Sequence, residues 1–470
     1  MNMNIFNRLL STKYMVKPEM QKGDIPPSRK AYGKSLRIAI PAVIEMVSLA
    51  IMDMIDVIMV GVLGAYAITA VGITNQPRML VFSVFMALNI AITAIIARKK
   101  GAGEMDAARS CLRHGLILNV ILGLVVTALA ILFAYPLMRL AGAQTVVIDD
   151  AASYFTIINY VLILQIVTAT ICVAQRAIGN TKITLKVNVV AKIIGVVFNF
   201  LLIEGRFGFP ALGVDGAAWA RVIAAVVAFG LAMHSVLHKN SPLRIKLTDY
   251  WGFEKPMIKS IGRLTSNGLL EQVGLRFGFF AYARVVADLG PEAFAAHIIA
   301  QQVMILSFTF ADGIGAATTS LVGQNLGKQR PDLSIMYGKI GMRMAIVCAL
   351  VLSGLCVLFR FQFAAMFAPY DPNVVIVAGE LLLIFAFVMP LQTAQLVMGG
   401  SLRGAGDTRF VAITMLLTVG LMRPILGWGM AFPLGLGIAG AWLAIIIDQG
   451  ARLIMLFTRF ARGKWVTAKL

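Results

Sequence analysis

The stretch IAIPAVIEMVSLAIMDMIDVIMVGV, residues 38–62, decides the fold of this chain. It is an apolar run that contains three acids, Glu45, Asp53 and Asp56, and no basic residue. A helix of about 20 apolar residues crosses a hydrocarbon core of about 30 Å. The run therefore predicts a membrane-spanning helix, and acids at membrane depth are costly enough to be candidates for function.

The rest of the chain has the same apolar character. Its 470 residues are 59% hydrophobic and 14% charged, with a mean hydropathy of +0.83. Soluble domains have about 45–50% apolar and about 25% charged residues. We therefore predict an all-α integral membrane protein with twelve transmembrane helices. The predicted spans are residues 38–62, 72–97, 114–138, 150–174, 183–204, 211–237, 261–288, 294–322, 340–360, 374–398, 410–431 and 436–458.

The basic residues that give the chain its net charge of +20 lie mostly in predicted loops on one side of the membrane. When residues at span edges are counted with the adjoining loops, 32 lysines and arginines fall on one side and 3 on the other. By the positive-inside rule, we expect a multi-pass protein of the cell membrane with both termini in the cytosol. We expect no nucleic-acid partner, because no basic helix carries side chains suited to reading bases.

The two halves of the chain match each other in order. Shifts of 224 to 227 residues superpose acidic, basic and glycine positions of one half on the other. The matches are Glu45 with Glu271, Gly64 with Gly290, Arg176 with Arg403, Gly179 with Gly406, Gly213 with Gly437 and Gly216 with Gly440. Each half holds an even number of spans, so the halves are parallel repeats. We predict two pseudo-symmetric six-helix bundles around a central cavity, which is the architecture of an alternating-access carrier.

These patterns predict the domain organisation. A cytosolic tail, partly disordered up to about Pro27, precedes the first bundle, and a polar linker separates the bundles. The predicted segments are a tail at 1–37, an N-lobe at 38–238, a linker at 239–260, a C-lobe at 261–460 and a second cytosolic tail at 461–470.

The acids of the first span are the leading site candidates. Glu45 and Asp56 share one helix face about 16 Å apart along the axis, at 1.5 Å per residue. Asp56 has Tyr282 at the matching position of the second half, so the repeat has lost its symmetry there. A carboxylate kept in one half can bind H⁺ or Na⁺ as a coupling ion. The alternative is that Lys192 pairs with a first-span acid in a structural ion pair.

Further polar residues inside the spans are candidates for lining the cavity. They are Asp53, Asn188, Lys192, Glu271, Tyr282, Gln301 and Gln392.

Several motifs of other functions are missing from the sequence. There is no GxxxxGK[ST] phosphate loop, no TVGYG filter, and no nucleophile elbow or zinc signature. The four cysteines form no CxxC pair. We therefore expect no enzyme activity, no cofactor, and no metal beyond Na⁺ at Asp56.

Several short motifs together resemble the multidrug and toxic compound extrusion family over roughly residues 35–460. They are spread over both halves of the chain. They are Asp56-Val-Ile-Met-Val-Gly61, Gly101-x-Gly103, Gly179-Asn-Thr-Lys182, Ala295-Ala-His297, Leu321-Val-Gly-Gln-Asn-Leu-Gly327 and Leu402-Arg-Gly-Ala-Gly-Asp-Thr408.

This resemblance implies a secondary antiporter that exports organic cations and other amphiphilic compounds as H⁺ or Na⁺ enters. The family's first-span aspartate falls on Asp56 and its fifth-span asparagine on Asn199. A further acid that some members carry falls on Ile203, so it is missing here. Gln392 replaces an aspartate of the NorM branch, and the seventh-span glutamate of that branch lies about one turn beyond Glu271. Both departures point to the DinF-like branch.

We therefore predict a monomeric efflux carrier for a small amphiphilic substrate, with Asp56, Asn199 and Glu45 at the coupling-ion site. One alternative is a flippase for lipid-linked oligosaccharide or lipid II in the same superfamily, which would favour a cationic cavity. The arginines and lysine that leave this open are Lys192, Arg221, Arg276 and Arg284. A membrane-embedded enzyme is the more distant alternative.

Overall fold

Helices make up most of the chain. In a computed structural model, residues 11–16, 18–141, 147–246, 248–249, 251–367 and 371–467 are described, and no strand occurs among them. Long helices follow from the apolar runs, because backbone polar groups in a bilayer must be paired within their own segment.

The α-helices of the described residues are numbered in chain order. They are α1 (Ser28–Gly61), α2 (Ala65–Ile73), α3 (Asn75–Gly101), α4 (Met105–Leu132), α5 (Ala134–Leu140), α6 (Ile148–Tyr160), α7 (Leu162–Ala177), α8 (Thr181–Leu202), α9 (Gly213–Leu237), α10 (Lys255–Ala287), α11 (Pro291–Gly327), α12 (Pro331–Phe367), α13 (Pro372–Gly404), α14 (Thr408–Met415), α15 (Arg423–Ala431) and α16 (Gly437–Ala461). A π-helical segment, Leu416–Met422, joins α14 to α15.

Each predicted span falls on one of these helices or on adjoining helices. Nine helical stretches among the described residues are long and apolar enough to cross a membrane. The pair α6 and α7, bent by 52°, makes a tenth. The two other predicted spans lie on α1 and α10, which have 34 and 33 residues. The all-α membrane fold is confirmed.

The helices form two compact units whose limits differ from those of the predicted lobes. The first stretch of α1 and the short segment Lys100–Gly103 belong with the second half of the chain. A further change of unit falls within α10 instead of in the linker. Unit 1 holds the described residues of Met1–Val43, Lys100–Gly103 and Ser266–Leu470, and unit 2 those of Ile44–Lys99 and Glu104–Thr265. The parts of the predicted tails at 1–10 and 468–470 lie outside the described residues.

The chain before α1 packs within unit 1. Met15 and Val16 are buried against residues of α11 and α12. Lys339 on α12 donates a hydrogen bond from Nζ to the carbonyl oxygen of Met15 at 2.7 Å. Met15 and Val16 thus have defined contacts, which the polar composition of the tail did not reveal. The partial disorder of the tail stays a prediction.

The backbone repeats between the two halves at matched glycines. Gly179 and Gly406 have φ angles of 84° and 89°, and Gly213 and Gly437 have φ angles of 56° and 55°. An L-residue with a side chain rarely adopts such angles. The predicted internal repeat is confirmed at these turns.

A close helix contact is also repeated. A Cβ added to Gly216 on α9 would lie 2.4 Å from the carbonyl oxygen of Leu202, and one added to Gly440 on α16 would lie 2.6 Å from that of Met430. Only a residue without a side chain lets the backbones approach so closely. Leu202 and Met430 are therefore equivalent positions of the two halves.

The π-helical segment explains a change in the offset between the halves. Thr181 and Thr408, which begin α8 and α14, are 227 residues apart, whereas Leu202 and Met430 are 228 apart. The second half therefore carries one extra residue between these points, and Leu416–Met422 lies there. A π turn holds more residues than an α turn, so it absorbs an inserted residue without ending the helix.

We predict that Gly216→Ala and Gly440→Ala destabilise the protein by about 1–3 kcal/mol each, because the added methyl group overlaps a backbone oxygen. The matched controls are Gly230→Ala on α9 and Gly450→Ala on α16, where an added Cβ meets nothing within 4 Å. Thermal unfolding in detergent measures the difference. Equal melting temperatures for all four variants would contradict the close contact.

Candidate functional site

Two acid–asparagine pairs connect α1 to α8. Asn188 donates to Glu45 Oε1 at 2.6 Å, and Asn199 donates to Asp56 Oδ1 at 2.8 Å. Each pair is separated by 143 positions, so the same register holds over both contacts. At 1.5 Å per residue, the 11 residues between the acids place the two pairs about 16 Å apart.

Glu45 lies in a fully paired cluster. Its side chain is buried, and Arg176 donates to Oε1 at 2.9 Å. Thr184 donates to Oε2 at 2.6 Å. With Asn188, three donors therefore engage both oxygens. Buried charges that are paired and hydrogen-bonded in this way hold helices in register.

Asp56 lies in a second cluster and is only 4% exposed. The Lys192 ammonium donates to Oδ2 at 2.7 Å, while Asn199 holds Oδ1. The carbonyl oxygen of the Asn199 side chain is buried and accepts no hydrogen bond from the described residues. An unpaired buried acceptor beside a carboxylate is costly, and its oxygen can accept a hydrogen bond or ligate a cation.

Lys192 is shared between two acids. Its ammonium also donates to Asp53 Oδ1 at 2.6 Å, and the Asp53 side chain is exposed. Asp53 and Asp56 lie three residues apart, so both reach the same side of α1. The ion pair that was the alternative in the sequence analysis is therefore present, and Lys192 contacts both side chains.

The structure thus separates the predicted coupling-ion residues. Asp56 and Asn199 are in contact, whereas Glu45 belongs to the cluster about three helical turns away. One ion cannot bind both carboxylates at that distance. Asp53 and Lys192 join Asp56, and Asn188 joins Glu45.

The second half repeats the ion pair of Glu45 but not the cluster around Asp56. Arg403 pairs with Glu271, which repeats the pair of Arg176 and Glu45. Glu271 Oε2 is buried and has no hydrogen-bond partner in the described part of the chain.

At the place of Asp56 stands the buried Tyr282, whose hydroxyl donates to the carbonyl oxygen of Ala441 at 2.9 Å. Gly427 stands at the place of Asn199 by the shift of 228, and a Cβ there would lie 3.0 Å from the Tyr282 ring. An aromatic ring on a glycine has therefore replaced the acid and its amide.

The remaining two cavity candidates, Gln301 and Gln392, are in neither cluster. Gln301 is half-buried on α11. Gln392 is buried on α13, and neither atom of its amide group has a hydrogen-bond partner among the described residues.

A buried charge cluster in unit 1 was not predicted. Asp448 on α16 accepts from Arg423 Nε at 2.9 Å and from Arg452 Nη2 at 2.6 Å. Arg452 Nε donates to Thr418, which lies in the π-helical segment, at 3.0 Å. All three charged side chains are buried. The sequence signal was available, because each charge lies inside a predicted span.

This cluster has no counterpart in the first half. By the shifts of 228 and 224, Arg423 and Asp448 correspond to Gly195 and Ala224. A Cβ added to Gly195 would lie 3.2 Å from the Cβ of Ala224. The first half therefore uses close helix packing where the second half uses an ion pair.

Comparison with known proteins establishes the family. A family model described as MatE matches residues 41–201 and 269–440, which is more than half of the chain. The chain belongs to the MatE family. Members of this family are transporters and not enzymes, so the expectation of no enzyme activity is confirmed.

Curated relatives match this MatE protein over nearly its whole length. The "Uncharacterized transporter YisQ" of Bacillus subtilis is 24% identical over 427 residues, covering 91% of this chain and 93% of the relative. A "Probable multidrug resistance protein NorM" of Thermotoga maritima is 25% identical over 457 residues and covers 96% of each chain.

Solved structures share the fold. A MOP superfamily transporter from Pyrococcus furiosus, titled for the reverse polarity of its binding pocket, has a TM-score of 0.86. It is 21% identical, over 93% of this chain and 97% of that one. An outward-facing multidrug resistance MATE transporter also has a TM-score of 0.86 and 21% identity, over 95% and 98%. At this identity the likeness establishes the fold alone.

We predict that Arg176→Met destabilises this MatE protein by about 3–5 kcal/mol, because it leaves Glu45 as an unpaired buried charge. Adding Glu45→Gln should recover part of the loss, since the remaining Thr184 and Asn188 can bond to a neutral amide. Thermal unfolding of the single and double variants measures the coupling between the two residues. Losses that simply add would contradict a paired charge.

Proposed function

We propose that this MatE protein exports organic cations or other amphiphilic compounds in exchange for H⁺ or Na⁺. Asp56 is the group that binds the coupling ion, with Asn199 beside it. The observation that carries the proposal is a nearly buried carboxylate on α1 whose neighbouring amide oxygen has no partner among the described residues. A group that can be neutralised at membrane depth can link ion entry to a conformational change.

The relatives support the substrate class. NorM of Vibrio cholerae, 26% identical over 442 residues, is named a multidrug resistance protein, as is MdtK of Photorhabdus laumondii. We propose a small amphiphilic substrate for this chain as well, carried by a monomer in the cell membrane. The excess of basic residues on one side supports a cytosolic position for both termini.

Alternating access is the mechanism that the repeat supports. Parallel repeats of equal span number can rock against each other around a site near the middle of the bilayer. The two repeats differ chemically, because the first half has Asp56 where the second half has Tyr282. We propose that only the first half binds the coupling ion.

The branch within the family follows from the same asymmetry. We propose that the chain belongs with the DinF-like members, which is supported by Gln392 in place of the second-half carboxylate of the NorM branch.

The contacts of the basic residues give less support to the flippase alternative than to the antiporter. Lys192 is neutralised by Asp53 and Asp56, and Arg284 pairs with Asp288 at 3.0 Å. Arg221 lies over the Tyr154 ring, 5.7 Å from its centroid. Two of the four basic side chains that could hold a pyrophosphate are thus already paired with acids.

We predict that Asp56→Asn lowers gradient-driven transport to the rate of protein-free vesicles, because the amide can neither bind a proton nor balance a cation. Transport of ethidium into vesicles under an imposed pH or Na⁺ gradient measures it. Asn199→Ala should lower transport less, since it removes a ligand and keeps the carboxylate.

Asp106→Asn is the matched control, because Asp106 is exposed and pairs only with its helix neighbour Arg109 in the structure. It should transport like the unaltered protein. Full coupled transport by Asp56→Asn would remove Asp56 from the mechanism and refute the proposed function.

A further inference from the structure

The position that a cation would take at Asp56 is occupied by a side chain of the protein itself. Lys192 Nζ lies 2.7 Å from Asp56 Oδ2, and the second oxygen already accepts from Asn199. Both carboxylate oxygens therefore face N–H donors. Small hard cations bind through oxygen ligands, so an incoming Na⁺ would first have to displace the ammonium and rotate the amide.

A proton meets no such obstacle. It needs one oxygen of Asp56 and no shell of ligands, and Lys192 keeps a carboxylate partner at Asp53, 2.6 Å away. The ammonium therefore remains paired when Asp56 is neutral, which avoids the large cost of an unpaired charge in the membrane. Asp53 and Asp56 differ in burial, and the more exposed Asp53 is the natural resting partner of the released ammonium.

Three other charged groups of this unit have contacts of their own. Asp215 on α9 accepts from Ser153 at 2.8 Å, and Arg221 lies over the Tyr154 ring. Arg78 on α3 lies over the Phe82 ring, 5.6 Å from its centroid, and acts on Asp53 only through its field. Among the described residues, Lys192 is thus the cation that contacts Asp56.

From this geometry we propose that Lys192 determines the coupling ion. Its ammonium acts as a tethered cation that occupies the Asp56 carboxylate and excludes Na⁺, so that the exchange runs on protons alone. The inference rests on the proposed function and narrows it. The second half has no such pair of acid and lysine, since Tyr282 on α10 replaces the acid there.

The test compares the ion dependence of ethidium transport in proteoliposomes. Unaltered protein should respond to a pH gradient and show no change when a Na⁺ gradient is imposed. Lys192→Met, which keeps an unbranched side chain one atom shorter and removes the charge, should gain a severalfold stimulation by the Na⁺ gradient. Lys192→Arg keeps a cation at Asp56 and should stay insensitive to Na⁺.

Asp53→Asn serves as a second control, because it leaves the ammonium on Asp56 and should also stay insensitive to Na⁺. A purely structural role for Lys192 would change the amount of folded protein or the rate, but not which ion drives transport. Unaltered protein driven by a Na⁺ gradient, or Lys192→Met with unchanged ion dependence, would overturn the proposal.

A measurement on the purified unaltered protein covers the case in which Lys192→Met does not fold. Its melting temperature in detergent should be the same in NaCl and in choline chloride of equal ionic strength. Stabilisation by Na⁺ would overturn the inference, since binding to the folded state raises stability by mass action. Such a result, together with an inactive Asp56→Asn, would leave the proposed function intact.

Discussion

A carboxylate held inside a bilayer needs a counter-charge and hydrogen-bond donors, and this requirement organises the first half of the protein. Glu45 and Asp56 meet it in different ways, although both lie on α1 and both bond to an asparagine of α8. Glu45 has three donors that engage both of its oxygens, including the charged Arg176. Asp56 shares its ammonium with a second acid, Asp53, and lies beside an amide oxygen with no partner in the described chain.

The second half shows what remains where the acid of the second cluster is absent. The pair of Glu271 and Arg403 repeats the static cluster, whereas Tyr282 and Gly427 fill the place of Asp56 and Asn199 with apolar packing. Charge reappears elsewhere, in the buried group of Asp448 and two arginines beside the π-helical segment. Its ionic contacts are short and fully enclosed, which suits a fixed support of the helix rather than an exchange site.

Much of this arrangement could be predicted from the sequence, because it depends on local patterns. The apolar runs predicted the membrane spans, and the matched glycines predicted the internal repeat. Both patterns are properties of single helices or turns. The contact of Asp56 with Asn199 came from family resemblance. Arg176 was aligned with Arg403, yet its pairing with Glu45 could not be predicted, because it depends on which faces of α1, α7 and α8 meet. The one-residue shift at Leu416–Met422 and the packing of Met15 are likewise set by tertiary contacts.

The central claim is that the Asp56 carboxylate exchanges a proton for substrate, and proton release on substrate binding tests it most directly. Purified protein in weakly buffered detergent, first acidified so that Asp56 is protonated, would be mixed with tetraphenylphosphonium while a pH-sensitive dye reports the proton concentration of the solution. The account predicts that the unaltered protein releases protons and that Asp56→Asn releases none. Equal release by both proteins would contradict it.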